Sequence, residues 1–595
     1  MRSYRIGNKT RQEYILNLGL LENLPSEKHK FLADRIEQIL EGNSKLFASE
    51  VLVEELAKKF SNQIIEEKKF FVNKTIEKQI ITPDTQDFQI VDINSVESEN
   101  GREIGAEWLA KQAIEQIDLD KFLNNQNIPD KLIKASQIAV ISRMVHPASD
   151  LETERWLNES TDLNILYDLK EDEITRADLT KASNYLYENK EIIEQKIYQN
   201  ITNLFSLKSQ IVIYDLTNIF FEGRKVGSTY CKFGRSKEKR NDCRIICLAL
   251  IIDENGFVFH SRFYAGNQSE PQTLADVVKD LKQKTNLDNQ LPVIVMDAGI
   301  TTEENLLDLR NEKQDYICVS RSKLKKYEII ETTPVIVEDN RKHKIELQKI
   351  KPEGKDDFFM LVKSDQKQIK EQSMSDKFTD KFEQEIALFN ENLQKKGAHN
   401  KIADVYQRVG RLKERHNSIS GLYEFKFIED DKKAKIKLVE WTKKQNIDKF
   451  DGTYFIRYSN EKLTSQQIWD TYNTIREVEN TFRTLKTDLQ IRPIYHQNDK
   501  EILSHIFVGI IAYQIVNTIR FQLKKKDINF SWDKIVKKLN TYKSVTTDMV
   551  TKDDKKIILK YCLRPSPQVK NIFELLKYKI LPFQKRKFVV TKLQT

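Results

Sequence analysis

The chain has 595 residues, 39% apolar and 31% charged, with a formal net charge of +9. That length exceeds what one hydrophobic core serves and predicts about three to five domains, with long charged helices. Five cysteines (Cys231, Cys243, Cys247, Cys318, Cys562) form no CxxC pair, which excludes a disulfide framework and a cysteine-based metal site and fits a reducing cytoplasm.

Residues 1–95 open with Arg2, Arg5, Lys9 and Arg11 and continue in helical patterns such as Phe31 to Leu40. They read as a basic, helical region suited to DNA binding. Met1 to Leu20 is polar and charged, unlike a secretory signal. Residues 99–205 are predicted helical, a DNA-binding or linking domain, with Trp108-Leu109-Ala110 and Ile138-Ala139-Val140-Ile141 as core stretches.

At 206 the pattern changes. Ile211–Tyr214 reads as a buried strand. Ile245–Asp253 and Phe257–Tyr264 flank Glu254-Asn255-Gly256, a hairpin signal. A helix (271–284), a strand (293–296), a short helix (302–310) and another strand (316–319) follow. This is the element order of a ribonuclease-H-like core, a mixed α/β sheet with helices on its faces, whose first part is 206–320. Residues 321–465 mix strand-like pieces (358–362, 421–428, 454–458) with a charged helical stretch around Met374 to His416, and read as a β-rich insertion domain. One long helix is predicted from Trp469 to Leu489, ending the core within 466–525. Residues 526–595 read as helical and basic. Their last forty, 556–595, hold ten Lys or Arg and one acid, Glu574. Such an end suits a phosphate-rich partner, or is a solvated tail that aids solubility. The most apolar stretch, Ile506 to Ala512, is too short to span a bilayer. No glycine-rich phosphate loop is present, so no nucleotide cofactor is expected.

Three acids carry the chemistry. Asp215 follows the apolar run Ile211–Tyr214, and Asp297 follows Val293–Met296. Glu479 lies on the long helix. There Ile475, Val478, Phe482, Leu485 and Leu489 form an apolar stripe that should pack on the sheet. Tyr472, Arg476, Glu479, Arg483 and Lys486 form a second stripe beside it, facing a groove. Three converging carboxylates make a hard oxygen site for Mg²⁺ or Mn²⁺, and two such ions are a standard device for phosphodiester chemistry. Each residue also has a plainer reading. An Asp after a strand can begin a turn or cap a helix, and Glu479–Arg483 can be an exposed ion pair. His496 and His505 have no partner at metal spacing and read as packing or capping residues.

The segments Tyr214-Asp215-Leu216-Thr217, Gly234-Arg235-Ser236-Lys237, Gly266-Asn267-Gln268-Ser269-Glu270-Pro271, Val295-Met296-Asp297-Ala298-Gly299 and Arg492-Pro493-Ile494-Tyr495-His496 resemble the DDE transposases of bacterial insertion sequences, in the group with an insertion between the second Asp and the Glu. Related chains open on a basic β-hairpin. The family's Tyr-Arg-Glu-Lys motif is matched by Tyr472, Glu479 and Lys486. Ile475 replaces the Arg, whose role would pass to Arg476.

The resemblance implies a cut-and-paste transposase. Asp215, Asp297 and Glu479 would be catalytic and hold two Mg²⁺ ions, with Mn²⁺ able to substitute. Tyr472, Arg476, Arg483 and Lys486 would bind terminal phosphates. Tyr454 would stack a flipped base, unless it is an ordinary β-core tyrosine. The implied partners are double-stranded DNA, both inverted-repeat ends and target, and a second copy of the chain in a synaptic homodimer. The implied location is the bacterial cytoplasm, at the nucleoid. The competing readings are a ribonuclease-H-like nuclease that does not join strands, and a catalytically inactive DNA-binding derivative.

Overall fold

The computed structural model describes residues 2–6, 9–13, 16, 18, 21, 24–40, 51–66, 77–80, 87–99 and 101–591, without 208–209, 224, 226, 238–239, 285–290, 322–323, 325, 340, 355–356, 396–398, 400, 431–434 and 445–451. The chain divides into two compact units. One comprises 1–109, 154–173 and 533–595. The other comprises 110–153 and 174–532.

The larger unit is built on a ten-stranded mixed sheet. From one edge its order is Val258–Ala265, Ile245–Asp253, Ile211–Phe220, Val293–Met296, Tyr316–Val319, Thr453–Tyr458, Phe358–Ser364, Lys344–Pro352 and Tyr327–Ile329, with Val335–Glu338 also pairing Lys344–Pro352. The strands Ile211–Phe220, Val293–Met296 and Tyr316–Val319 run parallel to one another, and the other pairings are antiparallel. Val212, Tyr214 and Leu216 point to one face, where Leu274, Val277, Leu281, Leu306 and Leu309 from two helices cover them. Alternation along a strand sends Ile213, Asp215 and Thr217 to the other face, on which the helix Ile475–Arg483 lies.

The segment 321–465 does not stand apart as one domain. Its strands at 327–329, 335–338, 344–352, 358–364 and 453–458 extend the central sheet. A separate core forms only where the helices Asp365–Leu393 and Ile402–Arg415 meet the hairpin Tyr423–Asp430/Lys435–Lys443, around Phe382, Ile386, Val405, Val409, Ile436 and Val439.

The apolar stretch at Ile506–Ala512 is the middle of a longer helix, Asp499–Lys524. By length and composition that helix could cross a membrane, and 89% of its most apolar window is buried inside the protein. Its polar residues are used rather than tolerated. Gln514 accepts from Val258 N (3.0 Å) and donates to Val258 O (2.7 Å), Tyr513 donates to Gly256 O (2.7 Å) and Asn517 to Asn255 O (3.1 Å). The helix thereby fixes the Asn255-Gly256 turn, where Gly256 takes φ +80°.

In the smaller unit, a hairpin Arg2–Ile6/Lys9–Glu13 precedes the helices His29–Leu40 and Val51–Glu66, which bury Leu32, Ile36, Val53, Ala57 and Phe60 together. The C-terminal region is not mainly helical, which corrects the sequence expectation. Lys543–Val550, Lys555–Cys562 and Arg586–Thr591 are neighbouring strands of a six-stranded sheet, with one helix, Pro567–Leu576, between them. The alternation Val545, Thr547, Met549 and the turn at 552–554 mark a hairpin that dense lysines obscure. Up to Thr591 the basic end is therefore folded, and Lys560 pairs with Asp162, Lys556 with Asp548 and Lys587 with Asp87.

Candidate active site

Tyr214 pairs with Met296 in the parallel ladder, so Asp215 and Asp297 each come one residue after that pair. Asp215 does not end its strand as expected. The strand continues to Phe220 through antiparallel pairing with Ile245–Asp253, while Val293–Met296 stops before Asp297. Asp215 is consequently half-buried and Asp297 exposed. Each carboxylate accepts the next residue's N–H, from Leu216 and from Ala298, both at 2.7 Å. Burial pushes Asp215 up to about 6. Lys237 opposes the shift, and Asp297 and Glu270 add to it.

The predicted long helix is broken. Ser465–Asn473 is one helix, Ile475–Arg483 a second, and Thr484–Asp488 a π-helical turn. The apolar stripe survives the breaks, with Val478, Phe482, Leu485 and Leu489 buried and Ile475 half-buried. The second stripe survives too. Glu479, Arg476 and Arg483 are exposed, and Tyr472 and Lys486 half-buried. Arg483 donates to Asn480 Oδ1 (3.0 Å). Lys486 sits in the π-helical turn, a distortion often found at functional sites.

Tyr472 links the parts. Burial pushes its phenol up to about 12, and Asp297 and Glu479 push the same way while Arg476 opposes them. Tyr454 lies beside it, ring centroids 6.4 Å apart, on the central sheet and flanking the same apolar cluster. Its ring carries the Lys367 ammonium 4.2 Å from the centroid. Tyr454 is thus a half-buried sheet residue with a cation on its ring.

Asp215, Asp297 and Glu479 are gathered less tightly than a closed metal shell. Among the described residues, only Glu191, Glu194 and His260 bring three ligand atoms within 4.8 Å of one another, and that cluster already holds ammonium groups. Lys190 lies 2.9 Å from Glu194 and Lys284 lies 2.7 Å from His260 Nδ1. Of the two histidines read as packing residues, His505 lies 3.2 Å from Arg143, and burial first, then Arg143, holds it well below its usual value.

Two residues at the site had no role in the sequence reading. Lys237 Nζ lies 3.6 Å from Asp215 Oδ1 and 3.1 Å from Glu270 Oε1, and donates to Leu216 O at 2.8 Å. Both belong to motifs visible in the sequence, Gly234-Arg235-Ser236-Lys237 and Gly266 to Pro271, but nothing in their spacing shows that the two loops meet.

A family model described as a transposase DDE domain matches residues 206–515. No curated protein matches. Among solved structures, the chain is similar to the cryo-EM structure of the piggyBac transposase synaptic complex with hairpin DNA. The two are 11% identical with a TM-score of 0.33, over 76% of this chain and 82% of that one. It is also similar to the Mos1 transposase paired-end complex with left transposon end, at 11% identity and a TM-score of 0.14, over 48% of this chain and 72% of that one. The family match takes in more than half of the 595 residues and contains all ten side chains discussed as site residues, and the chain belongs to the DDE transposase family.

Proposed function

We infer that this chain is a cut-and-paste DNA transposase with a ribonuclease-H-like core. The observation that carries the reading is the side-by-side placement of Asp215 and Asp297, with the Glu479 helix on the sheet face to which Asp215 points. The strand order from Val258–Ala265 to Tyr316–Val319, three antiparallel strands followed by two parallel additions, is the order such a core requires.

A divalent metal is the general cofactor of the family. The residues fit one. The donors are all carboxylate oxygens, as Mg²⁺ prefers, and the Lys237 ammonium 3.6 Å from Asp215 Oδ1 supports a centre that attracts positive charge. Asp215, Asp297 and Glu479 would hold two Mg²⁺ ions, or Mn²⁺ in their place. When bound, such ions activate a water or 3′-hydroxyl and stabilise the leaving oxygen. The chain's own residues supply the positioning. Exposed Arg476 and Arg483, with Lys486, would bind the phosphates flanking the scissile bond. Tyr472, within the fields of Asp297 and Glu479, would orient the terminal phosphate. Tyr454 would receive a flipped base only once Lys367 left its ring. The partners would be duplex DNA ends, target DNA and a second copy of the chain, in a bacterial cytoplasm.

The test is a labelled inverted-repeat duplex incubated with Mg²⁺ and wild-type or Asp297→Asn protein, resolved on a denaturing gel. End-specific nicks, hairpins and joined products from wild type alone support the proposal. Cleavage without joining would move the reading to a nuclease, and binding without cleavage in Mg²⁺ and Mn²⁺ alike to an inactive DNA-binding derivative.

A further inference from the structure

Three glycines explain how Lys237 and Glu270 reach the catalytic acids. A Cβ on Gly234 would stand 1.9 Å from Gly266 O, and one on Gly266 would stand 2.0 Å from Ile245 O. Real Cβ atoms do not approach backbone that closely, so the loop at 228–237 and the turn at 266–270 close on each other only as glycine. Gly266 N donates to Tyr230 O (2.9 Å), and Lys232 exchanges backbone hydrogen bonds with Ile245. Asn218 Oδ1 accepts the Lys237 N–H (3.1 Å). On the far side, a Cβ on Gly299 would meet Glu270 Oε2 at 2.9 Å. Glu270 is therefore pressed against the Asp297-Ala298-Gly299 turn. The three motifs Gly234–Lys237, Gly266–Pro271 and Asp297–Gly299 converge on one ion pair beside Asp215.

That pair has an uneven geometry. Lys237 Nζ sits closer to Glu270 (3.1 Å) than to Asp215 (3.6 Å), and the Leu216 carbonyl takes another of its protons. The ammonium is parked on Glu270 while still covering Asp215. A divalent cation on Asp215 would stand beside that ammonium, and two cations a few ångströms apart repel strongly in a partly desolvated site.

We propose that Lys237 is a positioning residue that acts as the resident counter-cation of the catalytic acids, competing with the divalent metal for Asp215, and that Glu270 is the anchor that draws it aside. The inference rests on the catalytic reading above. It assigns the Glu270 motif an electrostatic role distinct from metal ligation.

The experiment is calorimetric titration of Mn²⁺ into the DNA-free full-length protein, with thermal melting of each variant. Lys237→Met removes the competitor, so Mn²⁺ binds roughly fivefold or more tightly. Lys237→Arg keeps the charge and stays near wild type. Glu270→Gln leaves the ammonium to Asp215 and weakens binding. Asp215→Asn abolishes it. A merely structural Lys237 would give weaker or unchanged binding in Lys237→Met together with a lower melting temperature, and that result overturns the proposal. If Lys237→Met does not fold, Glu270→Gln decides, and unchanged Mn²⁺ affinity there is equally fatal. Loss of binding in Asp215→Asn beside a flat Lys237→Met would leave the catalytic reading standing and remove only this one. Wild-type affinity in Asp215→Asn would remove both.

Discussion

Asp215 and Asp297 each directly follow the Tyr214–Met296 pair of two adjacent parallel strands, Asp215 inside its strand and Asp297 just past the end of its own. Neighbouring strands are about 4.8 Å apart, so the backbone alone brings the two carboxyl groups together. Their environments differ because one strand continues and the other stops. Asp215 is enclosed and its carboxyl is pushed up to about 6, whereas Asp297 stays open to solvent. A cation between them would satisfy both at once.

Asp297→Asn removes one of two like charges without disturbing the strand that precedes it. Its thermal midpoint should be unchanged or slightly raised, because mutual repulsion is relieved. End cleavage in Mg²⁺ should fall by about 10³-fold or more, the scale set by losing a charge-stabilising group at a reacting centre. Equal cleavage by the variant, read on a denaturing gel, would remove Asp297 from the site.

Gly234→Ala places a methyl group against backbone that cannot retreat. It should cost about 1–3 kcal/mol, the range for overpacking, and lower the denaturant midpoint. Gly410 provides the contrast. It lies inside the helix Ile402–Arg415, and a Cβ there meets nothing within 4 Å. Gly410→Ala should therefore stabilise, by about 0.5–1 kcal/mol. The same substitution with opposite signs at two sites is the measurable point.

The sequence made the centre of the site legible because its signals are local. The apolar runs before Asp215 and Asp297 are the strands they resemble, and the Asn255-Gly256 turn joins the predicted hairpin. The stripe Val478, Phe482, Leu485 and Leu489 is buried as its spacing implies. What stayed hidden depends on long-range pairing. Thr453–Tyr458 pairs with Tyr316–Val319 across more than 130 residues, and no local pattern shows that a strand so distant belongs to the central sheet. Thr474 breaks the long helix without a Gly or Pro to signal it. Lys237 and Glu270 are ordinary charged loop residues until Gly234 and Gly266 bring their loops together.

Gln514 is buried on the helix Asp499–Lys524 and satisfies both backbone groups of Val258. Gln514→Leu would raise the hydrophobicity of the core yet strand a buried donor and acceptor. The unmet groups should outweigh the added apolar burial, for a net cost of about 2–4 kcal/mol. Equilibrium denaturation checks this, and a more stable variant would show that water replaces the amide.

Glu107 gives the smaller unit a pH-dependent contribution. It is fully buried, Thr161 donates to its Oε1 at 3.0 Å, and its Oε2 has no hydrogen-bond partner among the described residues. Burial, above all, raises its carboxyl from 4.5 to about 7, and Glu103 and Asp162 add to the shift. A carboxyl raised by folding is favourable when protonated. Its contribution is complete below the unfolded value of 4.5 and is lost as pH rises through about 7. Glu107→Gln mimics the protonated form at every pH and keeps the acceptor for Thr161. The variant should match wild type near pH 4.5 and exceed it by up to about 3 kcal/mol above pH 8. Thermal midpoints measured across that range decide it, since a difference that stays constant with pH would mean that Glu107 does not titrate between its two states as the buried site requires.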